Sequence, residues 1–433
     1  MTDLPSEFES LRKATTTMST TLRCFAYAKN RPINSARFAL LPIVALFAIV
    51  VTACGGGGKA RAPELRSIDA TTVQSVVEKR ASELLVPGAV AIVQTPTGET
   101  TARYGATSYG GSTLPTSRDH VRVGSVTKTF TGTVILQQVQ EGLLRLDDPV
   151  SRYLSAVPGG DGITIEQLLD MRSGLFNYSA TVELNQALDD APQRVWRRDE
   201  LLSLAFAHDP YFAPGQGFAY SNTNTVLLGL IAEQVERGKP LDAIMRDRLF
   251  KPLGMKDTLL ALDGASALPE PYVRGYMYGS NVQTMDPAGL PADMLAAARS
   301  GALLPGDRTN DNASWAWAAG AGISTAEDLL IWARALVTGQ LLDPDLHARR
   351  LASVRPVSPD APPDSAQYGL AIAKFGPLYG HTGELPGYNT FVGHDPVNEV
   401  TVVVWASLDP SPAGGATATA IARELIGRIY ATP

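Results

Sequence analysis

Apolar residues recur at helical spacing from Ala70 to Leu85 (Val73, Val76, Val77, Ala81, Leu84 and Leu85), which predicts an amphipathic helix. Ala89–Gln94 and Thr100–Tyr104 flank Thr95-Pro96-Thr97-Gly98, the pattern of a hairpin. From about Val121 to Gly264 helical periodicity dominates, with loops bounded by Pro and Gly. Near the end Thr390–Gly393 and Val400–Trp405 bracket Asp395-Pro396-Val397-Asn398, a second hairpin, and Ile421, Leu425, Ile426 and Ile429 predict a closing helix. Helix and strands first, a helical middle, then strands and helix last predict an α/β (α+β) fold. Both ends of the chain then share one antiparallel sheet, and a mainly helical lobe is inserted beside it. A ligand site is expected at the seam.

The N-terminal pattern is different. Phe38–Ala53 is an apolar run preceded by Lys29, Arg31 and Arg37 and closed by small residues, the layout of an export signal. Val51-Thr52-Ala53-Cys54 resembles a bacterial lipobox, which would make Cys54 a lipidated residue at a membrane surface; a membrane-spanning anchor is the alternative reading. Gly55 to about Arg66 reads as a flexible tether. The stretch before Arg23 is long for a signal, and Met18 is an alternative start. The expected division is 1–53 signal, 54–67 lipidated Cys and tether, and 68–433 globular domain. Within that domain the sheet lobe covers about 68–120 and 310–433, and the helical lobe about 121–309.

Charge and cysteine narrow the chemistry. The chain of 433 residues carries a formal charge of −6; six of its 37 Lys/Arg and three of its 43 Asp/Glu lie in residues 1–53, leaving −9 on the rest. That balance gives no electrostatic reason to bind nucleic acid. Both cysteines, Cys24 and Cys54, precede the globular part, which therefore holds no disulfide and no thiolate metal site, and no cofactor is called for. G-x-S-x-G, H-E-x-x-H and G-x-x-x-x-G-K-[ST] are all missing from the sequence.

Gly124-Ser125-Val126-Thr127-Lys128 opens a predicted helix, Thr129–Gln140. Ser125 and Lys128 share one helical face, so the amine can reach the hydroxyl, and a desolvated lysine can act as its base. The spacing alone is weak, since Ser10-Leu11-Arg12-Lys13 repeats it in the leader. Two further triplets give it weight. Tyr220-Ser221-Asn222 precedes an apolar helix, Thr225–Val235: Tyr220 offers a phenol to relay a proton, and Asn222 an amide to meet substrate and orient Lys128, or to cap the helix. His381-Thr382-Gly383 precedes the last hairpin; Gly383 lets a substrate backbone lie close to the strand, and Thr382 can hold a carboxylate.

The ordered set resembles the S-x-x-K, Y-x-N and K/H-T-G elements of the penicillin-recognising serine enzymes, in the branch of class C β-lactamases and class C-like D-alanyl-D-alanine carboxypeptidases. Leu146–Val150, Ile165–Leu169 with Ser173-Gly174-Leu175, Pro252–Met255, Ala319–Thr325 with Asp328, and Tyr379–Gly383 extend the likeness across nearly the whole globular part. The resemblance implies the β-lactamase/transpeptidase-like fold, acylation of Ser125, and proton management by Lys128 and Tyr220. It implies an oxyanion hole from the N–H groups of Ser125 and Glu384, substrate contact by Asn222, a carboxylate-holding wall of His381 and Thr382, and an aromatic lining at Trp315. The activity it implies is D-alanyl-D-alanine carboxypeptidase on peptidoglycan stem peptides. A β-lactamase, esterase or D-amino-acid amidase using the same residues, or a non-catalytic penicillin-recognising envelope protein, are the other readings. Two positions depart from the carboxypeptidase pattern. Glu384 follows the third motif where a hydroxyl residue is usual, and the preceding strand, Tyr368–Phe375, offers Ala373 and Lys374 rather than Arg. A carboxylate beside an anion pocket repels unless it turns away or pairs, for instance with Lys374.

Overall fold

The computed structural model describes residues 64–261, 264–285, 289–360 and 365–430. The leader and Cys54 lie outside them.

The first helix, α1 (Ala70–Glu83), starts where Asp69 accepts a hydrogen bond from the Thr72 N–H, and it buries Val73, Val76, Val77 and Ala81. Strands β1 (Gly88–Thr95) and β2 (Gly98–Gly105) form the first hairpin. Five short or long strands follow late in the chain, β3 (Arg355–Pro356), β4 (Gln367–Tyr368), β5 (Ala373–Phe375), β6 (Leu378–Leu385) and β7 (Tyr388–Asp395), and β8 (Val400–Ala406) completes the sheet. The eight strands run in the order β2-β1-β8-β7-β6-β5-β4-β3 with antiparallel pairing throughout. The expected closure of the two chain ends is present: Ile92 pairs with Val403, and Arg66 N–H donates to the Ile429 carbonyl at 2.7 Å.

Central strands are apolar on both faces because both faces are covered. Val90, Ile92, Val403 and Trp405 point into one core with Leu329 and Trp332 of α4 (Ala326–Thr338). Their neighbours Ala89, Ala91, Val402 and Val404 point into a second core with Val73 and Val77 of α1 and Ile421 and Leu425 of the last helix, α6 (Thr417–Ile429). Two helices of the middle segment carry the chemistry, α2 (Thr127–Gln140) and α3 (Asn222–Val235). Another helix, α5 (Pro344–Ala352), leads back to the sheet. Trp332 Nε1 donates to Thr129 Oγ1 at 2.8 Å, tying α4 to α2.

Three expectations need local correction. The strand expected over Tyr368–Phe375 is two short strands, because Ala371 takes a left-handed φ of 50° and gives its N–H to the Leu169 carbonyl. There it packs against Gly132 of α2, where any Cβ would stand 2.1 Å from the Ala371 methyl. The helix expected from Thr225 begins at Asn222, so Ser221, not Asn222, occupies the cap position. The last hairpin is longer than Thr390–Gly393 on its first arm, since both ends of β7 continue the ladder. Among the described residues no helix is long and apolar enough to cross a membrane.

Candidate active site

Ser125 sits in a 3₁₀ turn, Gly124–Val126, that feeds directly into α2. The turn is fastened from the side. Thr127 Oγ1 donates to the Gly124 carbonyl at 2.7 Å and accepts from the Gly322 N–H at 2.9 Å, while Thr131 Oγ1 donates to the Ala318 carbonyl at 2.7 Å. These bonds clamp the start of α2 against residues 318–322.

Lys128 is fully buried, with Nζ 2.8 Å from Ser125 Oγ and donating to the Ala319 carbonyl at 2.8 Å. Burial drives its pKa well below the ordinary lysine range, and the Glu384 carboxylate pulls back in the opposite direction. The ring of Tyr220 lies beside it, 4.8 Å from Nζ to the ring centre. An uncharged amine touching a hydroxyl, with a phenol alongside, can take the hydroxyl proton as the oxygen attacks a carbonyl.

The proposed oxyanion donors meet because two glycines let two backbones touch. Gly124 has φ 50°, and a Cβ there would stand 2.5 Å from the Glu384 N; a Cβ on Gly383 would stand 1.9 Å from the Val123 carbonyl oxygen. Gly383 makes a close approach to the protein's own chain, at Val123. It brings the backbone nitrogens of Ser125 and Glu384 close together; two N–H groups aimed at one point would receive a carbonyl oxygen as charge develops on it.

The cleft has a volume of about 610 Å³, and its walls include Ser125, Tyr220, Asn222, Trp315, Thr382 and Glu384. Asn222 donates through Nδ2 to Ser179 Oγ at 2.9 Å, and Ser179 Oγ donates to Asn177 Oδ1 at 3.1 Å. Asn177 Oδ1 also accepts from the Asn222 N–H. That chain fixes which way the amide points and leaves Asn222 Oδ1 buried without a partner among the described residues. Lys128 is held by the Ala319 carbonyl rather than by Asn222.

His381 was expected on the carboxylate wall and is placed behind it, 1% exposed. Since the Thr382 carbonyl only accepts, His381 Nδ1 carries the proton that bridges them at 2.5 Å, and Nε2 accepts from the Tyr368 hydroxyl at 3.1 Å. Burial, then the neighbouring Lys128, lowers its pKa to about 3, so the imidazole is neutral. Behind it Arg350 of α5 is buried, donating to Thr133 Oγ1 at 2.8 Å and to the Ala371 carbonyl at 3.1 Å. The suggested Glu384–Lys374 pair does not form either. Lys374 is opposite Tyr379 across β5 and β6, and its ammonium lies 4.9 Å from that ring centre. Tyr379 and Glu384 are five residues apart on one strand, hence on opposite faces.

Sequence reasoning thus named Ser125, Lys128, Tyr220, Asn222, Trp315, Thr382 and Glu384, and these converge on one cleft. It gave no role to the Ala319 carbonyl, though Ala319–Thr325 was singled out, and it missed Asn177, Ser179, Tyr368 and Arg350. Asn177 and Ser179 follow the flagged Ser173-Gly174-Leu175 and were within reach; a buried Arg with main-chain partners leaves no mark on a sequence.

Comparison with known proteins gives the family. A family model described as Beta-lactamase matches residues 73–426. A D-stereospecific amidohydrolase from Streptomyces sp. superposes with a TM-score of 0.69 at 29% identity, covering 82% of this chain and 98% of that one. The D-amino acid amidase from Ochrobactrum anthropi SV3, complexed with D-phenylalanine, gives 0.69 at 25% identity, covering 82% and 96%. The D-alanyl-D-alanine-carboxypeptidase/endopeptidase AmpH of Escherichia coli K12 is 31% identical over 164 residues, 36% of this chain and 40% of that protein. The chain spans less than two thirds of the length of the curated relatives it matches first. With a family match running through both cores and every wall of the cleft, this chain belongs to the beta-lactamase family of serine hydrolases.

Proposed function

We propose that this protein hydrolyses amide or peptide bonds of D-amino acid residues through an acyl-enzyme on Ser125. The observation that carries the reading is the buried Lys128 amine 2.8 Å from Ser125 Oγ, its pKa lowered well below the ordinary lysine range by that burial. In the first half-reaction Ser125 Oγ attacks the carbonyl carbon and its proton passes to Lys128 Nζ. The carbonyl oxygen becomes the oxyanion held by the N–H groups of Ser125 and Glu384. Collapse breaks the C–N bond as the proton is handed on, by way of Lys128 and Tyr220, to the departing amine. Water then repeats the sequence on the ester, leaving a free acid and Ser125. The D-configuration is supported by the likeness to the Streptomyces and Ochrobactrum enzymes over nearly their whole lengths.

A carboxypeptidase acting on D-Ala-D-Ala stem peptides is the second reading, favoured by the likeness to AmpH and by Thr382 on the cleft wall. Intact mass spectrometry on wild type and Ser125→Ala tests both. A D-phenylalanine amide and a blocked D-Ala-D-Ala peptide are each mixed with enzyme and quenched early. A covalent adduct on wild type alone supports the proposal, and its absence with both donors refutes it. We place the enzyme at the cell envelope through lipid on Cys54, supported by the basic, apolar, small-residue pattern before that cysteine. Detergent-phase partitioning that survives Cys54→Ala would overturn that anchor.

A further inference from the structure

The peptide unit between Gly383 and Glu384 faces two ways. Its N–H belongs to Glu384, whose nitrogen comes close to that of Ser125; its carbonyl belongs to Gly383 and accepts from Asn389 Nδ2 of β7 at 3.1 Å. The oxygen and hydrogen of a trans peptide point in opposite directions. A carbonyl turned toward Asn389 therefore turns the Glu384 N–H away from β7. The flank it turns to is the one that Gly124 approaches, where a Cβ would stand 2.5 Å from this nitrogen.

Asn389 is itself held on every side. It is wholly buried, Nδ2 also donates to Asp409 Oδ1 at 3.0 Å, and Oδ1 accepts at 3.1 Å from the Thr419 N–H in the first turn of α6. Turning the amide over would set its oxygen against a carboxylate and a carbonyl, and its NH2 group against an N–H, so its neighbours fix which way it points. The result is a row of amides joined donor to acceptor. It starts at the N-terminal turn of α6, passes through Asn389 and ends at the Gly383–Glu384 unit. Hydrogen bonds in such a row polarise one another, so a carbonyl that accepts at one end makes its own N–H a better donor at the other.

We propose that Asn389 is a positioning residue for acyl transfer: it sets the plane of the Gly383–Glu384 peptide and strengthens the Glu384 N–H as a donor to the oxyanion. This rests on acylation of Ser125, and the measurements keep the two apart. Asn389→Leu, similar in shape, removes every bond of the side chain. Asn389→Asp keeps an acceptor for the Thr419 N–H and loses the donor to Gly383. Each is assayed, per folded molecule by circular dichroism, for turnover of a D-phenylalanine amide and for inhibition by the matching boronic acid. The boron of that inhibitor bonds to Ser125 Oγ and becomes a tetrahedral anion, so it reports the charged state and not the ground state. Both variants should lose about 10–10²-fold in kcat with KM within about threefold, a part of the 10²–10³ that removal of one oxyanion donor costs. The boronic acid should bind more weakly by the factor that kcat/KM loses. An Asn389 that only fastens β7 to α6 would lower the urea midpoint and move neither quantity. If kcat of both variants stays within about threefold of wild type, or falls without a matching loss of boronic acid affinity, the proposal is wrong, while wild-type turnover keeps the Ser125 reading intact. If neither the amide nor the boronic acid engages Ser125 in wild type, both fall. Should both variants unfold, the side-chain NH2 resonances of Asn389 in wild type decide: the boronic acid adduct should shift them, and resonances that stay put overturn the proposal.

Discussion

Replacing Gly383 with alanine probes the oxyanion hole without touching any side chain that moves a proton. The new Cβ would lie 1.9 Å from the Val123 carbonyl oxygen, 2.8 Å from its carbon and 3.3 Å from the Ser125 N. Contacts under 3.0 Å are essentially never made by real Cβ atoms, so β6 and the Val123–Ser125 backbone must part by about 1 Å. Neither side yields easily. Val123 N–H is bonded to the Gly322 carbonyl at 2.9 Å, and β6 is laddered to β7 along its length. Parting them moves the Ser125 and Glu384 donors off a common point. Loss of one oxyanion donor lowers the rate about 10²–10³-fold, and a 1 Å misplacement costs about 10²-fold. Acylation of Gly383→Ala at saturating donor, followed by rapid quench, should therefore fall about 10²–10³-fold. Overpacking should cost about 1–3 kcal/mol in urea unfolding. Against a typical domain stability of about 5–15 kcal/mol that loss leaves nearly all molecules folded, so the rate change reports geometry. A drop of less than about threefold would mean that these two N–H groups do not hold the oxyanion.

Lys128→Met should lower acylation about 10²–10⁴-fold yet raise stability at neutral pH. The unfolded chain protonates this amine below about pH 10.4, whereas the buried native amine resists it, so the native state is penalised as pH falls below that value. The gain in urea midpoint should vanish above about pH 10.5, and a destabilised Met variant at pH 7 would contradict the burial argument. Acylation by wild type should rise with pH as Lys128 loses its proton; since Glu384 favours the charged amine, Glu384→Gln should shift that limb to lower pH in single-turnover profiles. Tyr368→Phe removes the donor to His381 Nε2 and should cost about 1–3 kcal/mol in denaturant unfolding, with an unchanged midpoint arguing against that bond.

Much of the architecture was legible because its signals are local. The α1 periodicity, the Thr-Pro-Thr-Gly turn and the closing helix each announce themselves within about 15 residues. What stayed hidden depends on partners distant in sequence. Ala371 breaks a predicted strand because it fits against Gly132, more than 200 positions away, and nothing local to either residue says so. At the site, Ser125, Lys128 and Tyr220 were readable from residue type and spacing. The side to which His381 faces was not, since strand alternation fixes neighbours relative to one another and leaves the choice of face to the sheet's packing. At Gly383 the missing Cβ was legible, whereas its neighbour in the chain, Val123, was not.

The seam that joins the first hairpin to the last strand, with Arg66 hydrogen-bonded to Ile429, has a bearing on synthesis. A growing chain holds its attacking alcohol and its amine early, but β6, which carries Thr382 and Glu384, and the strands that anchor it arrive more than two hundred residues later. Until β6 is made the site lacks one of its walls, and residues 66 and 429 lie near enough to be joined by a short linker, with the domain reopened at a surface loop such as Gly110, where an added side chain would meet nothing.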